Sequence, residues 1–282
     1  MTPTLVRQHP PHAGEIPRVD PYARARDWSE IQERMLVPLF EAVHARLEVA
    51  AGTRLLGLGC GSGLALLMAS ARGAHVTGVE PGCPERLALA RERLLPRARA
   101  RAAARLVHGS PRDAADPQAP AFTVVTAFEP VGCRDGDAER LGGLLRAAVP
   151  LAAPGAPVVL TGWGPPERCA TTSVLRVAGH LADSPGAQDR WRSARRDDLE
   201  DIAERAGLRV DGSGRVSCPF GYADLDSAVR GLLSTGLFDA AITATDQAQV
   251  DKEMAEALHP YVRPDGTVWM PNVFRYLIAR VP

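Results

Sequence analysis

The chain has 282 residues, enough for one large α/β domain or one domain carrying a substantial insertion. Its 33 basic and 33 acidic residues cancel and 45% of its residues are hydrophobic, so no global field draws it to nucleic acid or an anionic membrane. No segment is long and apolar enough to span a bilayer and the N-terminus lacks the apolar core of a secretory signal, which makes a cytoplasmic location the expectation. Five cysteines (Cys60, Cys83, Cys133, Cys169, Cys218) form no CxxC pair, which argues against a disulfide framework or a metal site.

Residues 1–26 are rich in Pro, His and Arg without apolar period and are expected to form a flexible arm. From Trp28 to Leu47, Ile31, Met35, Leu36, Leu39, Phe40, Val43 and Leu47 recur at helical spacing. Strand and helix patterns then alternate: strands at Arg54–Leu58, His75–Val79, Ala104–His108, Phe122–Phe128 and Pro157–Trp163, and helices at Leu64–Ala71, Pro84–Leu95 and Ala138–Val149. That alternation predicts a mostly parallel sheet with helices on both faces. The pattern loosens over 164–194. It resumes with a helix at Arg196–Ala206, a strand at Leu208–Pro219 broken by Gly212 and Gly214, helices at Asp224–Leu233 and Gln247–Leu258, and a last strand at Asn272–Val281.

The sharpest motif is Leu55-Leu56-Gly57-Leu58-Gly59-Cys60-Gly61-Ser62-Gly63, between a strand and a helix. Glycines there let the backbone turn tightly and approach a ligand. Glu80 ends the next strand, where a carboxylate can accept both hydroxyl protons of a ribose. The spacing is GxGxG. A dinucleotide fingerprint needs its third glycine at 64 or 62, which are Leu64 and Ser62, and no Lys-Ser or Lys-Thr follows to make a phosphate loop.

On these residues the chain resembles the class I S-adenosylmethionine (SAM)-dependent methyltransferases, and more narrowly UbiE-like actinobacterial small-molecule methyltransferases. LLGLGCGSG stands as motif I, VTGVEP as motif II, FTVVTAFEPV as the fourth-strand motif and PVVLTGWGPPERC as the fifth strand and its continuation. VRGLLSTG and NVFRYLIARV are similar to the same subgroup. The resemblance implies a Rossmann-like, mostly parallel seven-stranded sheet in one domain over 27–282, with helical substrate covers at 27–50, 164–194 and 219–270. It implies SAM as cofactor, held by Trp28, Gly57, Gly59, Cys60, Gly61, Gly63, Glu80, Pro81, Ser110, Pro111 and Phe128, and a small-molecule acceptor, with natural-product metabolism as the setting. A monomer or homodimer without nucleic-acid or membrane partners is expected.

Two positions depart from the family pattern: the motif I acid is Gly57 here, and the acid near the adenine is replaced by Ser110, with Asp113 close by. Glu129 is the candidate base, on the expectation that desolvation beyond an apolar strand raises its pKa. Tyr222 is a second catalytic candidate. Trp163 could wall the pocket, and Met35, Leu39, Leu232, Leu233 and Phe238 suit either an apolar acceptor pocket or ordinary core. The arginines at 97, 99, 101 and 105 are interleaved with Ala and not with aromatics, which suits a solvated face. The altered motif I acid keeps two other functions open: a cyclase or isomerase that holds SAM without consuming it, and a binding protein without catalysis.

Overall fold

The computed structural model describes residues 20–95, 104–182, 192 and 194–282. Helix α1 (Pro21–Asp27) starts at Asp20, whose carboxylate accepts the Tyr22 N–H. The last part of the segment expected to be a flexible arm is therefore helix; residues before Asp20 lie outside the described residues. A π-helical turn (Trp28–Gln32) and a tight 3₁₀ turn (Glu33–Leu36) lead into α2 (Val37–Arg46). The segment Trp28–Leu47, expected to be an amphipathic helix or helix pair, is thus a π turn and a 3₁₀ turn running into α2, with Pro38 in the first turn of that helix.

The alternating segment follows as β1 (Arg54–Leu58), α3 (Leu64–Ala71), β2 (His75–Glu80), α4 (Pro84–Leu94), β3 (Ala104–His108), β4 (Val124–Val131), α5 (Asp137–Ala148) and β5 (Pro157–Trp163). Helix α6 (Thr171–Leu181) occupies the stretch where the pattern loosened, and α7 (Asp198–Arg205) comes next. Then come β6 (Arg209–Ser217), β7 (Phe220–Tyr222), α8 (Leu225–Leu233), α9 (Asp239–Ala244), α10 (Gln247–Leu258), β8 (Val268–Met270) and β9 (Val273–Arg280).

The main sheet has seven strands in the order β3-β2-β1-β4-β5-β9-β6. Strands β1 to β5 pair in parallel, and β9 runs antiparallel to both β5 and β6. Gly212 does not break β6; the pairing with β9 shifts register between Val210 and Gly212 and continues to Ser217. A second, two-stranded sheet of β7 and β8 joins segments far apart in sequence. Apolar clusters cover both faces of the main sheet. One includes α5 and α7 residues such as Leu145 and Ile202, and the other gathers α2, α6, α8, α9 and α10. Leu39, Leu232 and Phe238 belong to the second cluster with 0–1% exposure, and Met35 and Leu233 pack against it, so all five are core. Among the described residues no helix is long and apolar enough to cross a membrane.

One buried group in that core carries a free-energy cost. His44 of α2 has no exposed surface, neither ring nitrogen has a hydrogen-bond partner among the described residues, and its ring meets Phe128 edge-on at 5.6 Å. Burial, and then the charge of Arg72, lowers its pKa from 6.5 to about 4. A group whose pKa is depressed on folding binds more protons when unfolded. Its neutral form supports the fold above about pH 6.5, and that support fades as pH falls towards 4, by about 3 kcal/mol in all. Urea unfolding at pH 7.5 and pH 4 checks this: His44→Leu should lose markedly less stability on acidification than the parent, and an equal loss in both would show that His44 is not the group responsible.

Candidate active site

The order β3-β2-β1-β4 reverses direction between β1 and β4, and the carboxyl ends of those strands form the crevice where α/β sheets bind ligands. The glycine motif turns the chain there from β1 into α3. Gly59, Gly61 and Gly63 take φ of +60°, +55° and +79°, a region that L side chains enter only with strain. Strands β1 and β2 place Gly57 opposite Gly78, and Leu66 of α3 drops into the notch between them. A Cβ on Gly57 would stand 2.9 Å from Leu66 Cδ2, and one on Gly78 2.5 Å from Leu66 Cδ1. The missing motif I acid therefore has a packing reason: an acidic side chain at 57 would displace Leu66.

Glu80, 7% exposed at the end of β2, holds the loop. Its Oε2 accepts the Gly61 N–H at 2.9 Å and its Oε1 the Gly82 N–H at 3.2 Å. Burial first, then the neighbouring Glu129, raises its pKa above the usual carboxylate range, while the two N–H groups pull it back. Each carboxylate oxygen keeps a further lone pair for a donor such as a ribose hydroxyl.

The segment Trp28–Leu36 lies over this loop. Measured from where a Cβ on Gly61 would stand, Glu33 Oε1 is 3.2 Å away and the Trp28 indole nitrogen 3.3 Å. Glu33, 4% exposed, accepts from the Ser62 hydroxyl and pairs with Arg93 at 2.9 Å. Arg93 also donates to Ser62 O at 3.0 Å and to Ser29 Oγ at 2.6 Å. One guanidinium from α4 thus ties the N-terminal segment to the loop. The Arg86 guanidinium stacks 4.0 Å from the centre of the Trp28 ring. The indole N–H of Trp28 is buried without a hydrogen-bond partner among the described residues.

The slot directly above the loop has room for only about 30 Å³. Phe128 lines it, 8% exposed and packed on Phe40 with ring centres 4.8 Å apart. Past Gly59, Glu80 and Glu129 it opens into a cleft of about 550 Å³ bounded by Pro81, Gly82, Arg134, Trp163, Leu237 and Phe274, among others.

The structure brings Trp28, Gly57, Gly59, Cys60, Gly61, Glu80, Pro81, Phe128 and Glu129 together along these two spaces. Gly63 sits one step back, packed on Ala90 and Leu94 of α4. The Cys60 thiol is pushed well above its usual pKa by burial and by the charges of Glu80 and Glu33, so it sits there as a neutral group. Ser110 and Pro111 line neither space. Ser110 caps a 3₁₀ turn, its hydroxyl accepting the Arg112 N–H while Asp113 accepts the Ser110 N–H at 2.8 Å. The turn still lies beside Glu80, whose carbonyl accepts the Gly109 N–H at 3.3 Å.

Two expectations need correction. Tyr222 is core: it is 3% exposed, burial raises its pKa, and its hydroxyl donates to Gln32 Oε1 at 2.9 Å beneath α8. Glu129 stands at the mouth of the cleft but is exposed, so the apolar enclosure expected around it is absent. Glu33, Ser62, Arg86 and Arg93 were not singled out in the sequence. Their partners lie tens of residues away, and only the fold brings them together.

No protein-family model and no curated protein matches the sequence. Solved structures do. A SAM-dependent methyltransferase from Thiobacillus denitrificans, in complex with S-adenosylhomocysteine, aligns with a TM-score of 0.50 at 19% identity, covering 94% of this chain and 99% of that one. YjhP from E. coli aligns at 0.51 and 18% identity over 92% and 99% of the two chains. The chain has the class I methyltransferase fold. At these identities the likeness is one of architecture, and the chemistry has to be argued from the residues.

The Glu33–Arg93 pair gives a direct test of how the loop is held. Removing one partner of a buried ion pair typically costs about 3–5 kcal/mol, because a charge is left buried alone. Arg93→Met should destabilise the fold by that order in urea unfolding, and adding Glu33→Gln should recover much of it. A loss below about 1 kcal/mol, as for an exposed pair, would show that the network does not anchor the segment.

Proposed function

We propose that the protein is a SAM-dependent methyltransferase acting on a small-molecule acceptor. The observation that carries this reading is the Glu80 carboxylate at the end of β2, bonded to the Gly61 N–H of a GxGxG loop at the switch point of the sheet. Glu80 would receive the ribose hydroxyls, with Pro81 beside it, and Gly59 and Gly61 would let the methionine part lie against backbone. The partnerless Trp28 indole N–H would donate to the methionine carboxylate, an acceptor that buried donor lacks. Bound SAM supplies a methyl group on a positively charged sulfur.

The role of the chain is to hold an acceptor atom in line with that methyl, and positioning of this kind can supply much of a rate enhancement. The cleft beyond Glu129 is the space for the acceptor. Glu129 Oε2 lies 3.4 Å from where a Cβ on Gly59 would stand, so its charge faces the same space. It can attract the cationic cofactor or take a proton from an acceptor as it is methylated. A natural-product acceptor rests on the resemblance of the motifs alone. The slot of about 30 Å³ is far below the ~300–1,000 Å³ of small-molecule pockets, so Trp28 and Glu33 give way when the cofactor enters.

Calorimetric titration with SAM and with S-adenosylhomocysteine tests the reading. Micromolar binding of both is expected, with a loss of about a hundredfold or more in Gly61→Arg. An acceptor, once found, should release S-adenosylhomocysteine in equal amount with product. No binding by folded protein, or binding untouched by Gly61→Arg, would contradict it.

A further inference from the structure

The wide part of the cleft carries a charge arrangement that the cofactor does not account for. Helix α8 ends at Leu233, and three guanidinium groups converge on the carbonyls there and just beyond. Arg24 donates to Leu233 O at 3.3 Å, Arg86 to Ser234 O at 2.8 Å and Arg134 to Thr235 O at 3.4 Å. The turn closes on Gly236, whose φ is +78°. A Cβ on it would stand 3.0 Å from Arg24 Nη2, 3.1 Å from Arg134 Nη2 and 3.5 Å from Asp239 Oδ2, so the two guanidiniums and one carboxylate gather at this turn.

The carboxylates that line the same cleft, Glu80, Glu129, Asp137 and Asp239, are exposed or engaged elsewhere. Asp239 pairs with Arg24 at 2.6 Å but is half exposed. Asp137 accepts the N–H groups of Gly132, Cys133 and Arg134 and pairs with Arg192. Glu80 is engaged at the glycine loop. Among the described residues Arg86 and Arg134 form no ion pair with a carboxylate. The negative end of α8 offsets part of the repulsion, and an anion bridging the guanidiniums would offset more of it through charge-assisted hydrogen bonds.

Beside these arginines the cleft is apolar. Trp163 packs on Phe274 with ring centres 4.7 Å apart and on Phe220 at 6.0 Å; the two phenylalanines are buried behind it, so the apolar surface offered to the cleft is that of Trp163 and Leu237. A charged rim next to an apolar floor suits a molecule with both characters. We propose that the acceptor is an anionic amphiphile, with a carboxylate or phosphate head held by Arg24 and Arg134 and an apolar body lying over Trp163 and Leu237. This rests on the methyltransferase reading for the other end of the cleft.

Titration of the full chain with decanoate, decyl phosphate and 1-decanol, in the presence of S-adenosylhomocysteine, tests it. Both anions should bind about tenfold or more tighter than decanol, and the better of the two identifies the head group. Arg134→Met should remove that preference while decanol and S-adenosylhomocysteine affinities hold, and Arg134→Lys should restore part of it. Decanol binding as tightly as the anions, no anion binding, or a preference that survives Arg134→Met would each overturn the proposal. The cofactor titration in the same series separates the two claims. Cofactor binding without anion preference removes this inference alone; anion preference without cofactor binding removes the methyl-transfer reading and leaves an anion site.

Discussion

The hydrogen bond from the Gly61 N–H to the Glu80 carboxylate ties the end of β2 to the turn that leaves β1. It is nearly sealed from water, and the acceptor carries charge, so it is stronger than an ordinary backbone bond and costly to leave unmade. Its geometry depends on how close α3 can come to the sheet. The paired glycines at 57 and 78 open the notch that admits Leu66, and that contact sets where the loop stands relative to Glu80. A larger residue at either position would push the Leu66 side chain out of the notch.

The N-terminal segment builds on that loop. Its change of pitch between α1 and α2 presents Trp28, Ser29 and Glu33 to the glycines, and Arg93 joins them to α4 and to Ser62. Glu80 and Glu129 also stand at this end, where the cleft meets the loop. Beyond it, on the turn after α8, Arg24, Arg86 and Arg134 donate to backbone carbonyls, with Asp239 paired to Arg24. Carboxylates beside the loop suit a cationic cofactor, and the arginines on the turn suit an anionic group.

Most of the fold was legible because it is written in local periodicity. Strands β1 to β5 are short apolar runs, and of the helices between them α4 opens on Pro84 while α3 and α5 each follow a glycine. Helix α6 falls in the 164–194 stretch where the resemblance implied a helical cover, but its bounds could not be read from the residues, because three prolines flank the segment and mask its apolar period, although Val174, Leu175 and Ala178 are buried. The β7–β8 pair was missed because each strand is three residues long and its partner lies far along the chain. Glu80 and the glycines could be read from position alone, since strand ends and turns are local. Tyr222 could not: whether its hydroxyl faces a cleft or Gln32 depends on a contact across 190 residues. The exposure of Glu129 likewise depends on which inserted helices reach it.

The central claim is that a ligand enters at the Gly61–Glu80 bond, beneath Trp28 and Glu33. Amide hydrogen exchange with and without S-adenosylhomocysteine tests it most directly. Slowed exchange centred on residues 57–63 and 80–83, with a change in 28–36 as that segment re-seats, is the predicted result. Slowed exchange confined to 219–270, with 57–63 unaffected, would contradict it and place the ligand outside the glycine loop.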